Sequence, residues 1–340
     1  MKNTPQEHDV ILLSHGDGGL LTHQLLDGLF LPAFRNDILD EAGDSARFPL
    51  EAGKYAFSSD SFIVSPPFFP GGDIGKLAVC GTVNDLVVSG SRPLYLSASF
   101  IVAEGMPVSV LSEIVQSMSE TARSVGVPVV TGDTKVVGGY NPRDIFINTT
   151  GIGRIHPECD FSTSRLQPLD SVIITGSIAD HGAAILSSRL GLDTDESPKS
   201  DCAPLTFLLE VLSPYLGSIR FMRDPTRGGL ATCLKELVRS GSLDILLVED
   251  RIPVSGKVRA VTDILGVDPL YLPSEGRAVI VAEQGRESCI LDALRQHPLS
   301  QGAEVIGHLE KGKGNVYLKT NLGGTRPLQM LVGNPLPRIC

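Results

Sequence analysis

A polar pair inside an apolar, helix-like run constrains this chain more than any other feature. From Leu77 to Val88 every residue is apolar or small except Asn84 and Asp85. Burying such a pair costs free energy unless other groups hydrogen-bond to it. The fold must therefore bring polar partners from elsewhere to these two positions. At 340 residues the chain is long for one core, and two domains of ordinary size are expected.

Runs rich in β-branched residues predict strands at Tyr55–Ser59, Ser61–Ser65, Leu94–Ala103, Pro128–Thr131 and Asp144–Ile155. In the second half they fall at Ser171–Thr175, Asp244–Val248, Arg277–Ala282 and Glu304–Leu309. Helical spacing appears at Ser109–Val125, where Val110, Ile114, Val115, Met118 and Ala122 share a face, and at Asp180–Leu190 and Leu230–Ser240. Glycines at 126, 191 and 241 stop these helices. The polar stretch His156–Pro168 reads as a connection between domains, and Asp193–Pro204 as a polar loop. Periodicity by itself supports two mixed α/β domains. The end, Gly-Asn-Pro-Leu-Pro-Arg-Ile-Cys from Gly333 to Cys340, carries two prolines and reads as an extended tail. Eight extended residues span roughly 25 Å.

A net charge of −10 argues against a duplex-DNA binder, which needs a basic face. It leaves room for a nucleotide, because magnesium lets carboxylates face phosphates. No apolar run approaches the ~18 residues that cross a bilayer, and Met1 to His8 is polar, so a cytoplasmic protein without membrane contact is expected. None of the six cysteines forms a C-x-x-C pair. Cys80, Cys159, Cys202, Cys233 and Cys289 lie in apolar surroundings and read as buried small hydrophobes. Cys340 ends the chain.

Several familiar motifs fail. Gly71-Gly72-Asp73-Ile74-Gly75-Lys76-Leu77 is close to a P-loop, but Pro70 stands at the first glycine position and Leu77 at the hydroxyl position. Gly151-Ile152-Gly153 lacks the third glycine of a dinucleotide fingerprint, and neither G-x-S-x-G nor H-E-x-x-H occurs. What remains is a set of aspartates. Asp60 follows a strand, Asp85 interrupts the apolar run, Asp133 lies in Thr-Gly-Asp-Thr-Lys, and Asp224 opens Asp-Pro-Thr-Arg-Gly-Gly at a helix start. Singly, each is also an ordinary cap or turn residue. Together they could supply the few carboxylates that magnesium takes beside phosphate oxygens and water. Gly228-Gly229 beside Arg227 suits an anion at a helix start.

These residues reach a resemblance that runs nearly end to end. It is carried by His15-Gly16-Asp17-Gly18-Gly19, Phe68-Phe69-Pro70-Gly71-Gly72-Asp73-Ile74-Gly75 and Cys80-Gly81-Thr82-Val83-Asn84-Asp85. Gly132-Asp133-Thr134-Lys135-Val136-Val137, Asp180-His181-Gly182, Asp224-Pro225-Thr226-Arg227-Gly228-Gly229 and Pro337-Arg338-Ile339-Cys340 complete it. The chain resembles the HypE-type hydrogenase maturation proteins, within the superfamily of aminoimidazole ribonucleotide synthetase, selenophosphate synthetase and thiamine-monophosphate kinase. One loop departs: the family usually has Ala-Asn-Glu-Gly-Lys near Tyr271, where this chain reads Leu272-Pro273-Ser274-Glu275-Gly276-Arg277.

The resemblance implies an α+β, two-domain PurM-like architecture, its N-terminal domain pairing into a dimer barrel and its C-terminal domain a mixed sheet with helices. It implies an ATP-binding and dimerisation domain at 1–155, a connection at 156–168, a C-terminal α/β domain at 169–332 and a flexible tail at 333–340. It also implies an activity: ATP-dependent dehydration of an S-carbamoyl group on Cys340 to a thiocyanate, the source of the cyano ligand of [NiFe]-hydrogenase. ATP and Mg2+ would be the cofactors. The partners would be the carbamoyltransferase HypF, the iron-loading HypC–HypD complex and a second copy of the chain, with no nucleic acid. By the same resemblance Asp60, Asp85, Asp224 and Asp133 are the magnesium candidates. Asn84, Thr134, His15 and Arg227 join Asp60, Asp85 and Asp133 as nucleotide contacts, Lys135 stabilises negative charge, and Glu275 accepts a proton. Two alternatives stay open. One is another synthetase of the superfamily, such as selenophosphate synthetase, although its reactive Cys or Sec lies near the N-terminus, where this chain has no cysteine before Cys80. The other is a carrier of carbamoyl or cyano groups that does not use ATP.

Overall fold

The computed structural model describes residues 9–41, 43–192, 194 and 196–331. The polar start, 1–8, and the tail bearing Cys340 lie outside the described residues. Two short helices, α1 (Leu20–Leu25) and α2 (Leu31–Phe34), precede strand β1 (Tyr55–Phe62). A small hairpin, β2 (Phe68–Phe69) and β3 (Gly72–Asp73), leads into helix α3 (Ile74–Val88). Then come β4 (Ser91–Ala103), α4 (Val108–Ser124), β5 (Val129–Val137) and β6 (Ile145–Ile155). The four long strands form one sheet in the order β1-β6-β4-β5. Its pairs are antiparallel except β4–β5, which is parallel because α4 crosses between them.

Alternation of side chains explains which face of this sheet is covered. Leu96, Ala98, Phe100 and Val102 on β4 and Ile145 and Ile147 on β6 are buried. α3 packs on that face against β1, β4 and β6, and α4 packs on α3. The helices cross so closely that a Cβ on Gly75 would stand 2.3 Å from the Ile114 carbonyl oxygen. The alternate residues point the other way, and that face stays open, with Phe57 74% and Ile101 43% exposed.

The stretch that mimics a P-loop is the β2–β3 hairpin followed by a helix cap. Asp73 Oδ1 accepts from the N–H groups of Gly75 (2.7 Å) and Lys76 (3.2 Å), satisfying the first turn of α3. Gly71 takes φ +97°, and a Cβ there would lie 2.7 Å from the Ser200 carbonyl oxygen.

The second half holds β7 (Ser171–Ile174), α5 (Asp180–Arg189), α6 (Phe207–Val211), β8 (Ile219–Arg223), α7 (Gly229–Leu237) and β9 (Leu243–Val248). It continues with α8 (Gly256–Leu265), β10 (Val279–Ala282), α9 (Glu287–Arg295), β11 (Glu304–Lys311), β12 (Val316–Lys319) and β13 (Thr325–Leu328). Its strands form a seven-stranded mixed sheet in the order β13-β12-β9-β11-β7-β10-β8. The interior strands β7 and β10 are buried at every position, as short uninterrupted apolar runs should be. One apolar cluster runs through both halves. The α+β class inferred from the sequence is the one that forms.

Several local expectations need correction. The two runs at 55–65 make one strand, ending at Phe62. β5 continues past Thr131 to Val137, so Gly-Asp-Thr-Lys lies inside a strand, held by the parallel ladder with β4. Asp224 follows β8, and the helix starts five residues later at Gly229. Cys159 and Cys289 are half-buried; Cys80, Cys202 and Cys233 are buried.

Candidate active site

Three elements deliver carboxylates to one cavity between the two halves. β1 carries Asp60 on its helix-facing side, α3 carries Asp85, and Asp224 follows β8. With Thr226, Arg227 and Glu236 they line a cavity of about 350 Å³. Glu275 joins Asp60, Asp85 and Asp224 in a smaller recess of the same region.

Each acid has a distinct environment. Asp60 Oδ1 accepts from Arg227 Nη2 at 2.7 Å and from the Ser61 N–H at 2.9 Å. Asp85 Oδ2 accepts from Ser58 Oγ at 2.5 Å, and burial raises its pKa, with the Asp60 charge adding to the rise. Asp224 is buried, and desolvation first, then the Asp85 charge, lift its pKa to about 7. Glu275 is 3% exposed, and its Oε1 has no hydrogen-bond partner among the described residues. Burial first, then the Asp224 charge, push its pKa well above the usual carboxylate range. Buried like charges this close favour proton uptake or a bound cation.

Local backbone geometry shapes the cavity wall. Gly228 and Gly229 adopt φ +72° and +62°, and a Cβ on Gly229 would lie 2.6 Å from the carbonyl oxygens of Leu270 and Leu272. The chain from Asp224 can thus turn sharply against the loop before Glu275 and open α7 beside the acids.

The remaining candidates lie elsewhere. Thr149 of β6 pairs with Asp60 and with Ala98 of β4, which in turn pairs with Gly132 of β5. Asp133, Thr134 and Lys135 are therefore three strand spacings from Asp60, roughly 14 Å. Lys135 Nζ contacts Asp133 Oδ1 at 2.8 Å, both side chains 59% exposed. His15 is buried, its Nδ1 accepting from the Leu12 N–H at 3.0 Å, in a turn packed on β5. A mainly apolar cavity of about 380 Å³ adjoins this edge, between Phe30, Phe34, Ile38, Thr131, Asp133 and Thr134. One chain does not bring this group to the acidic cavity.

Asn84 is buried, and its amide is spent on backbone. Nδ2 donates to the carbonyls of Ala203 (3.1 Å) and Glu275 (3.2 Å), and Oδ1 accepts from the Leu205 N–H at 2.8 Å. Among the described residues no group of three or more His, Cys, Asp or Glu side chains is gathered closely enough to hold a metal ion by itself. Sequence reasoning missed Asp201, whose buried carboxylate braces the Glu275 loop; inside a polar-looking stretch it carries no signal of burial.

Residues 42–155 match the N-terminal domain, and residues 167–319 the C-terminal domain, of the AIR synthase related proteins. A carbamoyl dehydratase HypE from Azotobacter vinelandii is 44% identical over 327 residues, covering 96% of each chain. The chain belongs to the HypE family of AIR synthase related proteins. A crystal structure of a member of this family, hydrogenase maturation protein HypE in complex with ATP, superposes with a TM-score of 0.92 at 44% identity, covering 97% of this chain and 99% of that one. A HypE–HypF complex gives 0.79 at 41% identity, covering 90% and 99%. Among the described residues no helix is long and apolar enough to cross a membrane.

Proposed function

We propose that this chain is an ATP-dependent carbamoyl dehydratase of hydrogenase maturation, and that it acts on an S-carbamoyl group carried by its own Cys340. The observation that carries the reading is Glu275, a buried acid with an unpartnered oxygen beside three carboxylates. A carboxyl so placed has a raised pKa and no structural partner for that oxygen, which suits a group that takes and gives protons.

The chemistry balances in two steps. The carbamoyl oxygen attacks the γ-phosphorus of ATP, ADP leaves, and one N–H proton passes to water, giving an S–C(=NH)–O–phosphate. The second N–H proton then passes to Glu275 as the C–O bond breaks, so phosphate departs and C≡N forms. Carbamoyl thioester and ATP thus give thiocyanate, ADP and phosphate. Lys135 supplies positive charge to the phosphoryl oxygens.

Asp60, Asp85 and Asp224 would be the residues of this chain to hold magnesium, because the charges of Asp85 and Asp60 help raise the pKa of buried Asp224 and a cation relieves that; Asp133 would join them only from a second copy. Their open arrangement suits a hard ion that keeps several waters. Bound there, Mg2+ would screen the phosphate charge. The cavity beside Thr131 and Thr134 has the size and apolar lining for the adenine base.

Because the Lys135 group lies three strands from the acids, a homodimer is part of the reading. A second copy laid on the open sheet face would form a barrel and bring its Lys135 edge toward this acidic cavity. Domain roles follow the expected boundaries, with nucleotide binding and pairing in 1–155, a connection at 156–168, a supporting domain in 169–332 and the tail at 333–340. HypF, seen with a relative, would load the carbamoyl group, and HypC–HypD would receive the cyano group.

Asp85→Asn tests enzyme against carrier. The variant should accept the carbamoyl group from HypF normally and lose at least 100-fold in ATP-dependent dehydration, on the order expected for a removed electrostatic group. Undiminished delivery of the carried group by this variant, with no ATP-dependent loss of water in variant or parent, would leave only the carrier reading.

A further inference from the structure

We propose that Asp201 and Asn84 are positioning residues that hold the Glu275 peptide from opposite sides and so aim its carboxyl into the acidic cavity. The proposal rests on the assignment of Glu275 as proton acceptor. Asp201 lies outside the acidic cavity, with a side chain only 1% exposed. Its Oδ1 accepts from the N–H groups of Glu275 and His181, both at 3.1 Å. Its Oδ2 accepts from the Gly276 N–H at 3.2 Å and lies 3.7 Å from Arg277 Nε. Arg277 is itself fixed, Nε donating to the Ser177 carbonyl (2.8 Å) and Nη1 to the Leu299 carbonyl (2.9 Å). The guanidinium, held in a set position, offsets part of the burial that raises the Asp201 pKa.

The other side of the peptide is held by Asn84. Its Nδ2 donates to the Glu275 carbonyl at 3.2 Å, while the same amide grips Ala203 and Leu205. Gly276 closes the arrangement, since a Cβ there would stand 1.9 Å from the Asp201 carbonyl oxygen. The N–H and C=O of Glu275 are thus both tied. Its side chain is the part left to act, with Oε1 unpartnered. Asn84 is next to Asp85 on α3, so one helical turn fixes both the Glu275 backbone and a cavity carboxylate. Small misplacements of a reacting group cost large factors in rate, and outer partners that orient a functional group commonly matter 10- to 100-fold.

The test uses the full-length chain, carbamoylated on Cys340 by HypF and freed of it, then mixed with saturating ATP and magnesium. Loss of water from the C-terminal peptide is followed by mass over hours. Asp201→Asn keeps one acceptor oxygen but turns an amide N–H toward a backbone N–H. Asn84→Asp removes the donor to Glu275. Each should lower the single-turnover rate roughly 10- to 100-fold with the ATP KM changed less than about twofold. In a Glu275→Gln background, Asp201→Asn should add no further loss, because residues acting through one group are not additive. Parental rates for Asp201→Asn and Asn84→Asp, beside a defective Glu275→Gln, would overturn the positioning role and leave the proton acceptor in place. A parental rate for Glu275→Gln would instead remove the reading beneath it. Losses that multiply in the double variant would also overturn the proposal. Should Asp201→Asn fail to fold, Asn84→Asp, alone and combined with Glu275→Gln, separates the same outcomes.

Discussion

Asp224 shows what burying a single carboxylate among other acids costs the fold. Its pKa of about 7 in the fold stands above the ordinary 3.8, so the native state holds this proton more tightly than the unfolded chain. Stability therefore falls as pH rises from about 4 to about 7, and the penalty is complete above 7. Asp224→Asn removes that penalty. In EDTA at pH 8 the variant should melt higher than the parent, by roughly 5 °C for a chain of this size, and the gap should shrink at pH 5. Dehydration should be lost at both pH values. Equal or lower melting at pH 8 would mean that the Asp224 carboxylate is not strained by its burial. Part of this was legible beforehand: a polar pair in an apolar helix demanded partners, and Asn84 has them. Their identity was not, because Ala203, Leu205 and Glu275 are more than a hundred residues away.

At the level of elements, strong period-2 and period-3.6 patterns located β4, β6, β7, α4, α5 and α7 to within a few residues. β8, α8, α9, β12 and β13 were not anticipated. They are short or carry charged residues on an outer face, as Ile219-Arg220-Phe221-Met222-Arg223 does, so local pattern is weak and the tertiary neighbours decide. The long sheet itself carries a prediction. Its uncovered face exposes Phe57 and Ile101 beside serines, a surface that a monomer has no reason to keep. Phe57→Glu should convert a dimer to a monomer in sedimentation experiments, with melting of the isolated fold little changed and dehydration greatly reduced. A parent chain that sediments as a monomer at micromolar concentration would contradict the paired sheet.

For the whole molecule, the separation of two groups of polar side chains is the main consequence of the fold. Acids gather where the two halves meet, and Asp133, Thr134 and Lys135 lie along the far edge of the first sheet. The sequence marked both groups but could not show that they are apart, since Asp60 and Asp133 both stand on or beside strand-like runs and only sheet order separates them. The decisive measurement is the intact mass of the C-terminal peptide after carbamoylation by HypF and removal of the donor, with and without added ATP. The account predicts a carbamoyl adduct on Cys340 that loses one water only when ATP is restored. A Cys340 that is never carbamoylated, or an adduct that ATP leaves unchanged, would contradict it.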